Sequence, residues 1–354
     1  MTPRRNTRLS AAPRRSPAST AAPLHYDEIR AQALAEFELS NLNVEAHVLG
    51  RRHRFEYDGK TVNVSLPTKR EIDQSDKFQG DKREYGIQKG HRIGSRQEAH
   101  DPAPTDIYSV TIAVVRVDIS EAFRIPAGAA RPDGKHYQSM TKSEQKRVQI
   151  ALDEYGKTAR RAFQYWLRVL RWKSQYGLIG RLATENLDDR WDATLVDPKH
   201  GQSLGYGIVH VTARMLPGVT DSVWKAIRRA VKAGREPPVW CELIFEGETA
   251  KWNGNFSGAS LYYAIACESY LRSFFLKKFP RKLNATVIER QLNVRPILEW
   301  YKHWEPERLK KSDWKTIHKL MDLRNRIAHE GTSMSISESL CQKFHQVSRS
   351  LVSW

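Results

Sequence analysis

Cysteine is scarce in this chain. Three residues, at positions 241, 267 and 341, are too few and too scattered for a disulfide scaffold or a four-cysteine zinc site. Cys241, Cys267 and Cys341 fall in helical patterns and read as reduced core residues. Long apolar runs are also missing. The longest uncharged stretch near the middle, Ile107 to Val115, falls well short of the ~20 residues a helix needs to cross a bilayer. No Gly-x4-Gly-Lys loop and no Gly-x-Ser-x-Gly elbow occurs, which sets aside phosphate-loop and serine-hydrolase chemistry. Acids are absent from residues 1 to 23, which hold Arg4, Arg5, Arg8, Arg14 and Arg15 among four prolines. With so little to bury, that stretch is expected to be a disordered basic tail. No apolar stretch follows its arginines, so it does not read as a secretory signal; an organellar transit peptide is the alternative. The chain is expected to be soluble and cytoplasmic, with no membrane partner.

Base, by contrast, is abundant. Fifty-eight lysines and arginines face 40 acids across 354 residues, a formal net charge of +18. That excess favours a polyanionic partner, nucleic acid above all, over an acidic protein or a neutral metabolite.

The first apolar pattern, Ile29, Ala33 and Phe37 at a spacing of four, predicts an amphipathic helix over Tyr26 to Leu39. Strands follow. Arg54 to Tyr57 and Thr61 to Leu66 flank Asp58-Gly59, a tight hairpin turn. Residues 68 to 106 read as a polar excursion, Ile107 to Ile119 as a buried strand, and Ile125 to Gly134 as loop. A second extended stretch is expected over Tyr206 to Met215, and a helix from Asp221, as N-cap, to Ala233.

Between them lies a long helix, about 142–176, with Gly156 its weak point. Ten lysines and arginines against three acids between Gln138 and Arg181 make it densely basic. Arg160, Arg161, Arg168, Arg171 and Lys173 alternate with Tyr165, Trp166 and Trp172. One reading is a solvated face whose aromatics belong to the core. The other is a nucleic-acid surface, with guanidinium groups on phosphates and rings against bases.

Gly234 followed by Pro237-Pro238 marks a boundary. Beyond it strand signals vanish. Helices are predicted over Val239–Trp252, Ser257–Phe279, Leu292–Trp304, Asp313–Glu330 (capped by Ser312 or Asp313) and Ser335–Trp354. The fold class is therefore α+β: a tail (1–23), a mixed region (24–237, strand-rich over 45–120), and an all-α antiparallel bundle of four or five helices (238–354). Glu268 sits on the apolar stripe of its helix and must be paired or shifted in pKa. Near the end of Asp313–Glu330, Asn325 and His329 are four apart and project from one side. Arg324 lies about 140° around the helix from His329 and needs its long stem to converge on it.

The run Arg324-Asn325-Arg326-Ile327-Ala328-His329 resembles the Arg-polar-x3-His signature of the HEPN superfamily, small helical bundles of which many are metal-independent endoribonucleases. The spacing recurs at Arg131 and His136, in a Pro/Gly loop where no bundle holds it. Upstream, Asn253-Gly254-Asn255-Phe256 followed by Ala259, Ala264, Ala266 and Glu268 is similar to the family's first inter-helix turn and small-residue helix. The likeness covers Pro238 to Trp354.

It implies an endoribonuclease acting as a toxin or an antiviral or stress effector, with Arg324, His329 and Asn325 catalytic. Glu268 would hold Arg324, and Arg326 would join Arg160, Arg161, Arg168, Arg171 and Lys173 against RNA. Histidine suits proton transfer near neutral pH, and the arginine fork suits a phosphorane. Because one motif supplies one histidine, the resemblance implies a homodimer sharing a cleft, with an antitoxin or regulatory partner a further expectation. No cofactor and no metal is called for: His91, His100, Asp101 and Asp106 cluster only loosely. The alternatives are a non-catalytic HEPN dimerisation or nucleotide-binding or nucleic-acid-binding module, and a basic DNA-binding regulator.

Overall fold

The computed structural model describes residues 26–76, 88–96, 104–126, 140–181, 193–196, 218–279, 294–330 and 336–352. Among them the fold is α+β, a six-stranded antiparallel sheet with eight α-helices. The predicted stretch Tyr206 to Met215, the Arg131–His136 repeat of the motif, and His100 and Asp101 lie outside the described residues.

The chain opens as a strand, β1 (Tyr26–Glu45), where the spacing predicts a helix. A spacing of four is two strand repeats as well as roughly one helical turn. Every second residue from Ile29 to Leu39 is apolar, and charged or polar residues fill most of the positions between. Pairing decides the matter. β1 runs antiparallel to β5 (Thr105–Pro126), from Tyr26 opposite Pro126 to Glu45 opposite Ile107, with register shifts after Arg30 and Glu38. Ile125 and Pro126, expected in a loop, belong to the strand, and the rest of that expected loop, 127 to 134, lies outside the described residues.

Asp58 (φ 49°) and Gly59 (φ 71°) turn β2 (Arg52–Tyr57) into β3 (Lys60–Ser65), as the hairpin signal requires. The strand order is β2-β3-β5-β1-β6, with β6 spanning Ala193–Val196. Beside β3, the edge of β5 also takes β4 (Gly90–Arg96). The polar excursion is therefore structured at β4 and at α1 (Lys69–Asp76). There the Thr68 hydroxyl accepts from the Glu71 N–H while the Glu71 carboxylate accepts from the Thr68 N–H, a reciprocal cap.

Helix α2 (Lys142–Ser174) lies against the sheet and runs through Gly156, which is buried. Phe163 stacks on Phe37 with ring centroids 4.4 Å apart, and the Trp166 indole N–H donates to His53 Nδ1 at 2.8 Å. Helix α3 (Asp221–Lys232) is capped by Thr220 rather than Asp221: the Thr220 hydroxyl accepts from Val223 N–H, while Asp221 pairs with Arg51 and Lys225.

A second core forms from α4 (Val239–Trp252), α5 (Phe256–Lys278), α6 (Val294–Trp304), α7 (Lys311–Glu330) and α8 (Glu338–Leu351). It shares no residue with the sheet core, whose members end at Val231. The turn at Gly254 (φ 75°) reverses α4 into α5, with Asn255 accepting from Gly258 N–H at 2.9 Å. The two helices approach so closely that a Cβ at Gly247 would overlap the Tyr263 ring. Helix α7 starts at Lys311, one turn closed by Asp313 and Trp314 N–H on Lys310 O, so Ser312 and Asp313 sit inside it rather than capping it. Cys241, Cys267 and Cys341 are free and buried on α4, α5 and α8.

Candidate functional site

Helix α5 presents Glu268 toward α7. Its side chain is only 13% exposed, and two guanidinium groups satisfy the carboxylate. Arg272, one turn on, donates to Oε1 from Nε at 2.9 Å and from Nη2 at 2.7 Å. Nη2 of Arg324 lies 3.3 Å from Oε2. The i,i+4 spacing of Glu268 and Arg272 places that pair on one helix face, whereas Arg324 is brought in by packing of α7 on α5. Two cations on one carboxylate leave a surplus positive charge, and Arg324 is 31% exposed, so part of its fork faces solvent.

Arg324 also donates from Nη1 to Asn325 Oδ1 at 3.1 Å. Asn325 is exposed and lines a cavity of about 80 Å³ with Arg295, Leu298, His318, Met321 and Asp322. His318, Met321, Asp322 and Asn325 recur three and four apart along α7, and Arg295 and Leu298 come from α6. Charges in this groove are paired: Arg295 with Asp322 at 3.3 Å and His318 Nε2 with Glu299 at 3.0 Å. Continuing that face by four residues reaches His329. His329 belongs to α7; its side chain lies outside the described set. Arg326 is exposed on the same helix.

The basic strip of α2 divides differently from its sequence pattern. Tyr165 and Trp166 are core residues and Trp172 is half-buried, so those rings are not a stacking surface. Arg171, expected on phosphates, is buried at 8% exposure and donates from Nε to Ile179 O at 2.7 Å. Burial pushes its guanidinium below the usual arginine range, with the Arg181 charge adding to the effect. The segment after the helix covers it at Ile179 O, and Glu242 and Glu246 of α4 are its charged neighbours, so it is not offered to phosphate. Arg161 pairs with Asp58 at 3.0 Å and Arg168 with Glu236 at 2.9 Å, both substantially exposed. The Lys173 ammonium sits 3.2 Å from the Trp172 ring centroid, and Arg160 is half-buried.

His91 and Asp106 lie on paired strands, but Asp106 accepts from Arg92 instead. Among the described residues no group of three or more His, Cys, Asp or Glu side chains is arranged to hold a metal ion, and no helix is long and apolar enough to cross a membrane. Neither Arg272 nor the Arg295–His318 groove is among the site residues that the sequence suggests. Only the Glu268–Arg272 spacing carried a signal; the groove depends on α6 meeting α7. Compared with family models, curated proteins and solved structures, the chain matches none.

Proposed function

We propose that the helical region is a metal-independent endoribonuclease of HEPN type, acting as a toxin or as an antiviral or stress effector in the cytoplasm. The observation that carries this reading is the bridging of Glu268 by Arg272 and Arg324. It holds a half-exposed guanidinium, with charge to spare, next to Asn325 and on the helix that bears His329. A fixed fork of that kind suits the oxygens of a pentavalent phosphorane.

In the proposed reaction one imidazole takes the proton from a ribose 2′-OH. The 2′-oxygen attacks the adjacent phosphorus, and the P–O5′ bond breaks as an acid protonates the departing 5′-oxygen. The products are a 2′,3′-cyclic phosphate and a 5′-hydroxyl. Base and acid are His329 from each of two chains in a homodimer, and Arg324 stabilises the charge between them. Asn325 holds the Arg324 fork in place.

The test is cleavage of total RNA by the full chain in EDTA. Cleavage that is lost in His329→Ala and in Arg324→Ala supports the reading. Intact RNA with wild type across several RNA classes, or equal cleavage by His329→Ala, removes it. RNA binding without cleavage would leave a non-catalytic module.

A further inference from the structure

Helix α6 shows two tryptophans to solvent. Trp300 is 44% and Trp304 49% exposed, two of the few large hydrophobic side chains left in water among the described residues. They are four residues apart on one face, with His303 between them, its ring 6.3 Å from that of Trp304. Each indole is braced from behind by an edge contact: Trp300 by Phe275 at 6.2 Å and Trp304 by Phe279 at 5.4 Å between centroids. The end of α5 supplies cation. Lys278 lies 4.8 Å from the Trp304 centroid and 5.2 Å from that of Phe274, its ammonium 3.7 Å from Glu305, while neighbouring Lys277 faces Trp240.

Braced, half-exposed indoles beside an ammonium group offer an apolar face and positive charge together, which suits a partner that is both apolar and anionic. A single-stranded nucleic acid is both: π-faces on a polyanionic backbone. Four residues of helix span about 6 Å, close to two stacking steps of about 3.4 Å. Each ring can therefore take its own unstacked base, whereas the base faces inside a duplex are already covered. The opposite side of the same helix carries Arg295 and Leu298 into the groove shared with Asn325. Arg295 and Trp300 are five residues apart and so about 140° around the helix from each other, which makes the tryptophan face a surface separate from that groove.

We infer that Trp300 and Trp304, with Lys278, form a stacking platform for unpaired RNA. The inference rests on the ribonuclease reading for its choice of RNA, but binding itself needs no cleavage.

The experiment uses the full chain and a fluorescein-labelled 12-nucleotide RNA with 2′-O-methyl riboses, which cannot undergo 2′-OH attack, single-stranded or in duplex. In fluorescence anisotropy at fixed salt, Trp300→Ala and Trp304→Ala each weaken single-strand binding about tenfold. They leave the duplex affinity unchanged, and Trp→Phe at either position restores most of the loss. Unchanged single-strand affinity in both alanine variants overturns the platform. So does conversion of a wild-type dimer to monomer by Trp304→Ala without loss of RNA affinity, which would make the patch an interface between copies. Tryptophan-dependent binding without EDTA-resistant cleavage of ordinary RNA would sink the nuclease and spare the platform. Cleavage with tryptophan-independent binding would do the reverse.

Discussion

Arg324 of one helix and Arg272 of another meet on the single carboxylate of Glu268, the first at 3.3 Å and the second at 2.7 Å. Neither cation is fully neutralised, and removing the anion would leave two like charges facing each other.

Glu268→Gln keeps the shape and removes that charge. With the carboxylate mostly buried, the loss is on the order of 2 kcal/mol in urea unfolding. Cleavage should fall at least tenfold, because the Arg324 fork loses the group that aims it. Arg272→Met leaves Glu268 to Arg324 alone, so RNA cleavage should survive better than in Glu268→Gln. Equal loss in both variants would mean that Glu268 acts only on folding.

The cations of α2 should split by exposure. Arg161 and Arg168 sit in exposed ion pairs with Asp58 and Glu236, which are worth little and can be given up to phosphate. Substituting either with Ala should weaken RNA binding, lower the salt slope by about one, and leave stability within about 0.5 kcal/mol. Arg171→Met should do the opposite. Its guanidinium is buried on Ile179 O, so unfolding moves by about 2 kcal/mol while the salt slope stays fixed. Salt titration of binding beside urea unfolding reads both.

Those divisions mark what was legible in the chain. The Asp58-Gly59 turn, the bounds of α2 and all five C-terminal helices follow from local signals: a dipeptide that needs positive φ, apolar spacing, and Gly or Pro at the ends. The β1 segment reads as helix because Ile29, Ala33 and Phe37 satisfy both periods, and only the distant partner β5 breaks the tie. Thr68-x-x-Glu71 spells a cap inside the otherwise polar stretch of 68 to 106. In α2 arginine and aromatic residues interleave as if on one surface, yet helical phase turns Trp166 inward and Arg161 and Arg168 outward, while Arg171, only about 60° around from Arg168, is buried by the segment after the helix at Ile179 O. At the candidate site, the shared face of Asn325 and His329 is a property of helix spacing. The meeting of Arg324 with Glu268 is tertiary, and a resemblance alone suggested it.

Polar links join the two cores. Arg349 on α8 donates to Glu248 at 3.0 Å and to Gln175 O, at the left-handed end of α2, also at 3.0 Å. Arg181 bonds Thr249 at 3.1 Å and pairs with Glu246 at 2.8 Å on α4. Since the hydrophobic clusters share no residue, cooperativity between them leans on these contacts. In a variant with Arg181→Met and Arg349→Met, unfolding followed by circular dichroism and by tryptophan fluorescence should separate into two transitions. Wild type should give coincident curves. Coincidence in the double variant would show that close packing between the regions, such as Phe245 of α4 against Gly177, suffices.

His53 gives the sheet core a pH dependence. It is fully buried, stacked on Trp224 at 3.9 Å between centroids, and accepts from the Trp166 indole at Nδ1. Nε2 therefore carries the proton and donates to Trp224 O at 3.2 Å, leaving the protonated ring no further acceptor for Nδ1. Burial above all, with Arg228 adding to it, pushes its pKa to about 4. Between that value and the unfolded histidine's ~6.5, the unfolded chain holds the extra proton, so folding stability falls as pH falls through this window. From pH 7.5 to 5.5 the loss from this one group is about 1 kcal/mol. His53→Gln cannot titrate and should flatten that part of the profile while lowering stability at every pH. Urea midpoints of both proteins at the two pH values isolate the difference from the carboxylates common to both. A wild-type profile parallel to that of His53→Gln would mean that the imidazole is charged in the fold or reached by water.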